Sequence, residues 1–272
     1  MRTAASLALL AALTGCQQRA PLPELSGVAS VDLCADQMVL GLIPRGDVRA
    51  VSVEAASDAG FAARQARGLP RLRPQLEDIV ALRPAVVVRS YRGDAQFDRQ
   101  LAALGIRVVR LGYADTLAGA RTVVLQAGSD LNAAAKARQL VAAFDAGLAE
   151  ARPGGSHEPT ALYVTPGDVT TGPGSLVADV IAAAGFTPYR AAPGWGSLPL
   201  EDLVRRPPDV VFRAFFDSSS YRQDGWSASR HPVVAATAQR AAEVEVPGAW
   251  LACGNWLTGQ AVAALADART AP

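Results

Sequence analysis

Residues that build most catalytic and metal centres are scarce in this chain. The 272 residues include two histidines, three cysteines and a single lysine, Lys136. Because His157 and His231 are the only histidines, a multi-histidine zinc site is not expected. The formal net charge of +1 offers no basic surface for a nucleic acid. These shortages argue against zinc-dependent and nucleic-acid-binding proteins.

Motifs of common enzyme folds are missing as well. The sequence has no G-x-x-x-x-G-K-[ST] loop, no G-x-S-x-G elbow and no G-x-G-x-x-G at the first strand–helix turn. We therefore expect no enzymatic activity. The alternative is an enzyme that handles nucleotides or sugars on two Rossmann-like lobes.

The N-terminal region is predicted to direct export and to anchor the protein. Arg2 precedes an apolar run over residues 4–13, which is too short to span a bilayer. The L-T-G-C sequence that ends at Cys16 resembles the lipobox of bacterial lipoproteins, in which the cysteine is lipidated. We expect a signal peptide at residues 1–15 and a lipidated tether at residues 16–27. An ordinary secretory signal with an incidental cysteine is the alternative.

The rest of the chain alternates between strand and helix patterns in two regions. In residues 28–115 and 155–272, short apolar runs alternate with helical spacing, which is typical of a parallel, doubly wound sheet. Residues 116–154 lack strand patterns and are rich in alanine, which predicts a helical linker. With Asn132 as its N-cap, the linker helix would extend ~30 Å. The predicted fold is α/β, with two Rossmann-like lobes joined by a single long helix and a ligand cleft between the lobes; one larger domain is the alternative.

One sequence pattern occurs twice, once in each predicted lobe. Residues 76–88 read LEDIVALRPAVVV and residues 200–212 read LEDLVRRPPDVVF, with seven identities and an offset of 124 residues. Each copy predicts a short amphipathic helix, a proline stop and a buried strand. Two copies are too few for a solenoid. The repeat therefore indicates two lobes built on one plan, each with an acidic residue at the same place.

Three segments resemble periplasmic binding proteins for iron chelates and corrinoids. They are VASVDLCADQM at residues 28–38, the LEDIVALRPAVVV copy of the repeat, and GWGSLPLE at residues 194–201. The resemblance extends from residue 28 to the end of the chain. It implies a two-lobed monomer that holds its ligand between the lobes and delivers it to an inner-membrane ABC permease dimer with its ATPase.

The resemblance also implies that one surface glutamate on each lobe docks onto arginines of the permease. Glu77 and Glu201 occupy the matching positions in the two copies of the repeat. Charge pairs at a wet rim set orientation and association rate more than affinity. The alternative is that both are ordinary helix-surface acids. Because relatives in Gram-negative bacteria are usually soluble in the periplasm, an anchor at Cys16 leaves open a periplasmic or a cell-surface location.

Candidate ligand-binding residues follow the predicted strands. In an open α/β sheet, ligands bind outside the carboxyl ends of the strands. This rule selects Cys34, Asp36, Arg89, Tyr91, Arg92, Arg213 and Phe215. The arginines and the phenol suit an anionic, oxygen-rich chelate, because a guanidinium donates hydrogen bonds in fixed bidentate geometry. The alternative for Arg92 is a solvated charge in a loop.

Large aromatic residues are concentrated in the C-terminal half. Trp195, Trp226 and Trp250 either form an apolar wall for a bulky ligand or plug the core and the space between the lobes. The arginines and Tyr91 favour a ferric siderophore as the transported ligand. The tryptophans suit the apolar faces of a corrinoid such as cobalamin, which is second, and no resident cofactor is expected. A haem-binding relative would carry a tyrosine or histidine before the first repeated helix. LPRLRP at residues 69–74 offers neither, so haem is the weaker alternative.

The three cysteines divide into one lipidation candidate and one pair. If Cys16 carries lipid, Cys34 and Cys253 form an even pair in an oxidising compartment. They are either bridged or separate small apolar residues, because sequence alone does not show whether their Cβ atoms approach.

Overall fold

The computed structural model describes residues 24–56, 60–91, 93–151, 159–165, 169–215 and 231–269. Within these ranges, no helix is both long and apolar enough to cross a bilayer. The predicted signal peptide, Cys16, Arg92 and Trp226 lie outside the described residues.

A five-stranded parallel sheet forms the centre of the N-terminal lobe. Its strands are β1 (Val28–Ser30), β2 (Val48–Ser52), β3 (Arg71–Leu72), β4 (Val86–Arg89) and β5 (Arg107–Arg110), and they lie in the order β3-β2-β1-β4-β5. The helices of this lobe are α1 (Leu33–Leu42), α2 (Phe61–Gln65), α3 (Leu76–Leu82) and α4 (Ala95–Ala103). Val87 and Val88 of β4 are both fully buried, in separate hydrophobic clusters. Because successive strand residues point to opposite faces, both faces of this sheet are covered.

The C-terminal lobe has a four-stranded parallel sheet and a small antiparallel one. Its strands are β6 (Thr160–Val164), β7 (Val169–Thr171), β8 (Thr187–Pro188), β9 (Trp195–Ser197), β10 (Val210–Phe215) and β11 (Ala242–Pro247). The parallel order is β11-β10-β6-β8, and β7 pairs with β9 in antiparallel fashion. The helices are α7 (Leu176–Ala183), α8 (Leu200–Arg205), α9 (Pro232–Ala238), α10 (Ala249–Ala252) and α11 (Thr258–Ala268). The two lobes together confirm the predicted two-lobed α/β fold.

The repeated sequence occupies equivalent positions in the two sheets. In the N-terminal lobe, α3 leads into β4, which lies between β1 and β5. In the C-terminal lobe, α8 leads into β10, which lies between β6 and β11. Val86 of β4 pairs with Val28 in register, and its counterpart Val210 pairs with Ala161. Each copy of the repeat therefore builds a helix and a central strand of its lobe.

Two consecutive helices connect the lobes. They are α5 (Leu117–Asp130) and α6 (Ala134–Glu150), and they pack against each other. Leu117 lies in the C-terminal core, and the other buried apolar side chains of α5 lie in the N-terminal core. Helix α6 runs back from Ala137 in the N-terminal core to Phe144 in the C-terminal core. Each of these two helices therefore runs between the lobes, where the sequence predicted one long helix.

Asn132 does not cap the second of these helices. Its φ is 55°, a left-handed conformation that asparagine tolerates better than most residues, and it lies in the turn between α5 and α6. The N-cap of α6 is Ala133, which makes no side-chain capping hydrogen bond. The turn, rather than a helix start, explains the asparagine.

Candidate ligand cleft and lobe interface

A recess lies between the two lobes at the carboxyl ends of the N-terminal strands. It has an empty volume of about 310 Å³, part of which is open to solvent. The N-terminal lobe and the segment after β5 contribute most of its lining, and Ala252 and Cys253 contribute the C-terminal side; the full lining is Cys34, Ser90, Tyr91, Leu111, Gly112, Tyr113, Ala114, Ala252 and Cys253. The recess is therefore an interlobe site, as expected for the ligand cleft.

Two tyrosines form the aromatic part of the recess. Tyr91 follows β4 and Tyr113 follows β5, and because these strands are parallel neighbours both rings lie at one edge of the sheet. Their ring centroids are 4.8 Å apart at an interplanar angle of 61°. They are 40% and 62% exposed, which is high for large aromatic side chains. Exposed ring faces in a recess are suited to contact with an apolar ligand surface.

A disulfide joins the two lobes beside this recess. Cys34, in the first turn of α1, is bonded to Cys253, which follows α10, and their Cα atoms are 5.1 Å apart. The two residues are separated by 219 positions in sequence. The sequence did not show whether Cys34 and Cys253 are bridged. In the structure they are, and the bond links the two lobes covalently.

Buried amide groups extend the link along α1. The side chain of Gln37 is fully buried and donates through Nε2 to the carbonyl oxygen of Ala249 at 3.0 Å. Asn255 donates through Nδ2 to Oε1 of Gln37 at 2.6 Å and accepts from the N–H of Leu257 at 2.9 Å. Separating the lobes would break both hydrogen bonds of the Gln37 amide, which is unfavourable for a buried polar group.

Trp256 completes the contact one turn further along α1. Its ring meets Phe61 edge to face at 5.9 Å and packs against the hydrophobic cores of both lobes. A Cβ at Gly41 would lie 2.3 Å from Cη2 of Trp256, so only glycine fits there. Cys34, Gln37 and Gly41 have helical i, i+3, i+7 spacing and form one face of α1. We call this face and the 249–256 segment that covers it the interlobe clamp.

Asp36 does not line the cleft, contrary to the prediction. Its side chain is fully buried behind the recess, where Ser52 donates to it through its N–H at 2.8 Å and through Oγ at 2.6 Å, and Ser30 through Oγ. Burial raises the pKa of Asp36 from 3.8 to about 6, although the hydrogen bonds from the two serines oppose the shift. The carboxylate ties α1 to the ends of β1 and β2 and has a structural role.

Arg89 is also withdrawn from the cleft. It is 3% exposed, and its Nε lies 2.7 Å from Oδ1 of Asp98. Burial raises the pKa of Asp98, but the hydrogen bonds from Arg89 and Arg110 lower it by more. The net shift is downward, so the carboxylate stays ionised. A Cβ at Gly93 would overlap the Arg89 guanidinium, so the loop closes over it. The structure thus places the Arg89 side chain in an ion pair away from the recess, where the sequence predicted a ligand contact.

Arg213 lies inside β10 rather than beyond its end. Pairing with β11 continues as far as Phe215 opposite Pro247. The Nη1 of Arg213 lies 2.8 Å from Glu243 Oε1 on the neighbouring strand. Arg213 is therefore occupied by an ion pair within its own lobe, and the predicted strand-end position is corrected. Phe215 is the last residue of β10 and therefore lies at the carboxyl end of a strand, the position for which it was selected.

The tryptophans have different surroundings. Trp195, in β9, is 53% exposed and contacts Tyr163 with ring centroids 6.1 Å apart. Trp250, in α10, is half-buried against the hydrophobic core of the C-terminal lobe. Trp195 therefore retains an exposed aromatic face, whereas Trp250 contributes to packing. Sequence reasoning missed Tyr113, although its position three residues after β5 was the available signal.

Glu77 and Glu201 are both exposed in the first turns of α3 and α8. Their positions in the two lobes correspond through the repeat described above. Among the described residues, no group of three or more His, Cys, Asp or Glu side chains could hold a metal ion. The cleft as described thus offers aromatic and backbone groups rather than a built metal centre.

Two α/β lobes with a recess between them have the architecture of a two-domain binding protein. The chain belongs to the periplasmic binding protein family, whose sequence profile matches residues 28–234. Members of this family are solute-binding proteins that work with ABC importers. No curated protein sequence matches the chain.

Solved structures share this fold at low sequence identity. The periplasmic haem-binding protein RhuT of Roseiflexus sp. RS-1 is 20% identical, with a TM-score of 0.69 over 90% of this chain and 99% of that one. The haem-binding protein HutB of Vibrio cholerae is 18% identical, with a TM-score of 0.72 over 90% and 99%. Ceue of Helicobacter pylori, with Ni(II) bound, is 14% identical, with a TM-score of 0.63 over 90% and 84%. These likenesses establish the fold.

Proposed function

We propose that this protein captures a metal chelate between its lobes and delivers it, chemically unchanged, to an ABC importer. The observation that carries the proposal is the interlobe recess with the exposed Tyr91–Tyr113 pair on its wall. Two of the structural relatives are described as haem-binding and a third holds Ni(II), so metal-containing ligands occur on this fold.

The described residues favour a chelate with a flat, largely apolar face, such as a corrinoid, over an anionic ferric siderophore. Tyr91, Tyr113 and Trp195 keep exposed ring surfaces. Arg89 and Arg213, which would have bound anionic oxygens, are held in ion pairs with Asp98 and Glu243. We therefore place a corrinoid ahead of the siderophore, because the two arginines that the structure describes are occupied by carboxylates of this chain.

Tryptophan fluorescence tests the proposal directly. Purified protein is titrated with cyanocobalamin, with haem and with a ferric siderophore, and saturable quenching is the readout. We expect a corrinoid or other tetrapyrrole to quench at lower concentration than the siderophore. Tighter binding of the siderophore would overturn the order of ligands. No saturable response to any of the three would overturn chelate binding itself.

We further propose that Glu77 and Glu201 dock the loaded monomer onto the two subunits of an ABC permease. They are exposed, they lie at equivalent places in the two lobes, and the family works with such importers. Charge pairs at an exposed rim guide orientation and the association rate.

Charge reversal separates docking from ligand binding. The double variant Glu77→Arg/Glu201→Arg is expected to lose uptake in the native host while keeping the quenching titration of the wild type. Asp115→Arg, at another exposed acid, serves as the control and should leave uptake intact. A loss of chelate affinity in the double variant would contradict a docking role.

The N-terminal region fits an exported lipoprotein anchored through Cys16, in the periplasm or at the cell surface. Anchoring would hold the protein close to the importer and limit its diffusion to the membrane plane. A Cys16→Ser variant is then expected in the soluble fraction of the native host. Its retention with the membranes would contradict lipid anchoring at this residue.

A further inference from the structure

The two repeated helices share more than their glutamates. Ile79 of α3 and Leu203 of α8 point into the cores of their lobes and are buried. The helices thus have the same inward face, so the residues that remain outside can be compared position by position.

The second acid of each copy has a partner within the protein. Asp78 forms an ion pair with Arg73 at 3.0 Å, and Asp202 faces Arg206 at 3.8 Å. For Glu77 and Glu201, no hydrogen bond or ion pair occurs within the described ranges. In both lobes, the aspartate lies near an arginine of its own helix region, whereas the glutamate has no such partner among the described residues.

An exposed valine accompanies each glutamate. Val80 is 36% exposed and Val204 is 67% exposed. Each valine lies three residues after its glutamate, so the two side chains are neighbours on one face of the helix. A single exposed valine needs no explanation. The same acid–valine pair at equivalent positions of two lobes does call for one, because the next position of the repeat has diverged (Ala81 against Arg205).

From this pattern we infer that Val80 and Val204 are the apolar halves of two docking patches, Glu77–Val80 and Glu201–Val204, that seat on the two copies of the permease subunit. The inference rests on the proposed function. The matching surface would carry a basic side chain next to an apolar depression, and a two-fold symmetric dimer would present that surface twice.

A second copy of this chain fits the patches less well. An isologous contact between copies would bring glutamate against glutamate, and like charges facing each other are unfavourable. A partner with basic residues is complementary to both patches. The duplicated pattern therefore points to a symmetric partner of opposite charge.

Site-specific photo-crosslinking in the native host tests the inference. The full chain carries p-benzoylphenylalanine in place of Val80, Val204, Glu77 or Leu125, one position at a time. Leu125 is an exposed aliphatic residue on α5, outside both patches, and serves as the matched control. We expect positions 80, 204 and 77 to crosslink to one permease subunit, identified by mass spectrometry, and position 125 to give no such product.

The other outcomes separate this inference from the proposed function. Crosslinks at position 77 without any at 80 and 204 would overturn the role of the valines and leave permease docking standing. Silence at all three positions would overturn docking as a whole. Products that contain two copies of this chain would show that the patches serve self-association, against the inference.

Affinity for the permease provides a second readout. Val80→Asp and Val204→Asp are each expected to weaken binding of the protein to permease-containing membranes by about fivefold, since each places a charge where the valine is proposed to enter an apolar depression of the partner. Leu125→Asp should bind like the wild type. Equal affinity of the valine variants and the wild type would overturn the inference. Because both valines are exposed, the variants should fold, and an unchanged urea midpoint checks this.

Discussion

The two sides of the lobe boundary are built in different ways. The interlobe clamp joins the lobes through the Cys34–Cys253 disulfide, the buried amides of Gln37 and Asn255, and Trp256. On the open side, the Tyr91–Tyr113 pair is exposed at the recess. Polar groups are buried and hydrogen-bonded on the clamp side, whereas apolar rings contact water on the open side.

This difference assigns separate tasks to the two sides. A covalent bond and satisfied buried amides resist separation of the lobes, and the helices α5 and α6 cross the same boundary. We therefore expect only a small change in lobe orientation on binding. We expect the exposed rings to select the ligand, because their burial by an apolar ligand surface is favourable.

Removing the disulfide should have the largest effect, because it breaks the clamp side. The double variant Cys34→Ser/Cys253→Ser is expected to lose ~3–5 kcal/mol of unfolding free energy, since a cross-link that closes a long loop restricts the unfolded chain strongly. Urea unfolding of the wild type and the variant measures the loss. A reducing agent should lower the urea midpoint of the wild type and leave that of the double variant unchanged. Insensitivity of the wild type to reduction would contradict a stabilising bridge.

The pH dependence of stability tests the role of Asp36, whose carboxylate ties α1 to the ends of β1 and β2. Because its pKa is raised from 3.8 to about 6 in the folded protein, the folded state holds this proton more tightly than the unfolded chain. Its contribution is complete below pH 4 and is lost as the pH rises from about 4 to about 6, which amounts to ~3 kcal/mol. Asp36→Asn, which cannot ionise, should gain that much relative to the wild type between pH 4 and pH 7 in urea unfolding.

An exposed aspartate provides the control for this experiment. Asp115→Asn removes one carboxylate from the surface without touching the Ser30–Asp36–Ser52 cluster. Its free energy of unfolding should follow the wild type at both pH values. A parallel pH profile for Asp36→Asn and the wild type would sink the assignment of a raised pKa to Asp36.

The smallest effect is expected on the open side, where substitutions should change ligand affinity rather than the free energy of unfolding. Tyr91→Ala and Tyr113→Ala should each weaken binding of the tetrapyrrole that quenches best by about tenfold, because a stacking ring is lost. The urea midpoint should be unchanged, since both rings are exposed. Tyr113→Phe keeps the ring and should bind like the wild type. An equal loss in the phenylalanine variant would show that the hydroxyl, rather than the ring, contacts the ligand.

Local patterns predicted the secondary structure well where hydrophobic period and helix stops agree. The helix and strand predicted within residues 76–88 are α3 and β4, which begin at Leu76 and Val86. Prediction failed where a residue type has two uses. Asparagine is a common N-cap residue, but Asn132 lies in a turn. Arg89 ends a strand, but its side chain turns inward to Asp98.

The sequence by itself determined the two alternating regions and the duplicated helix–strand unit, because these depend on the order of neighbouring residues. Tertiary structure alone decided that Cys34 meets Cys253 and that Asp36 and Arg89 leave the cleft. It also brought Tyr91 and Tyr113 together at one sheet edge. The physical reason is that a polar or aromatic side chain goes where partners from distant segments satisfy or bury it, and those partners exist only once the strands are paired and the lobes are joined.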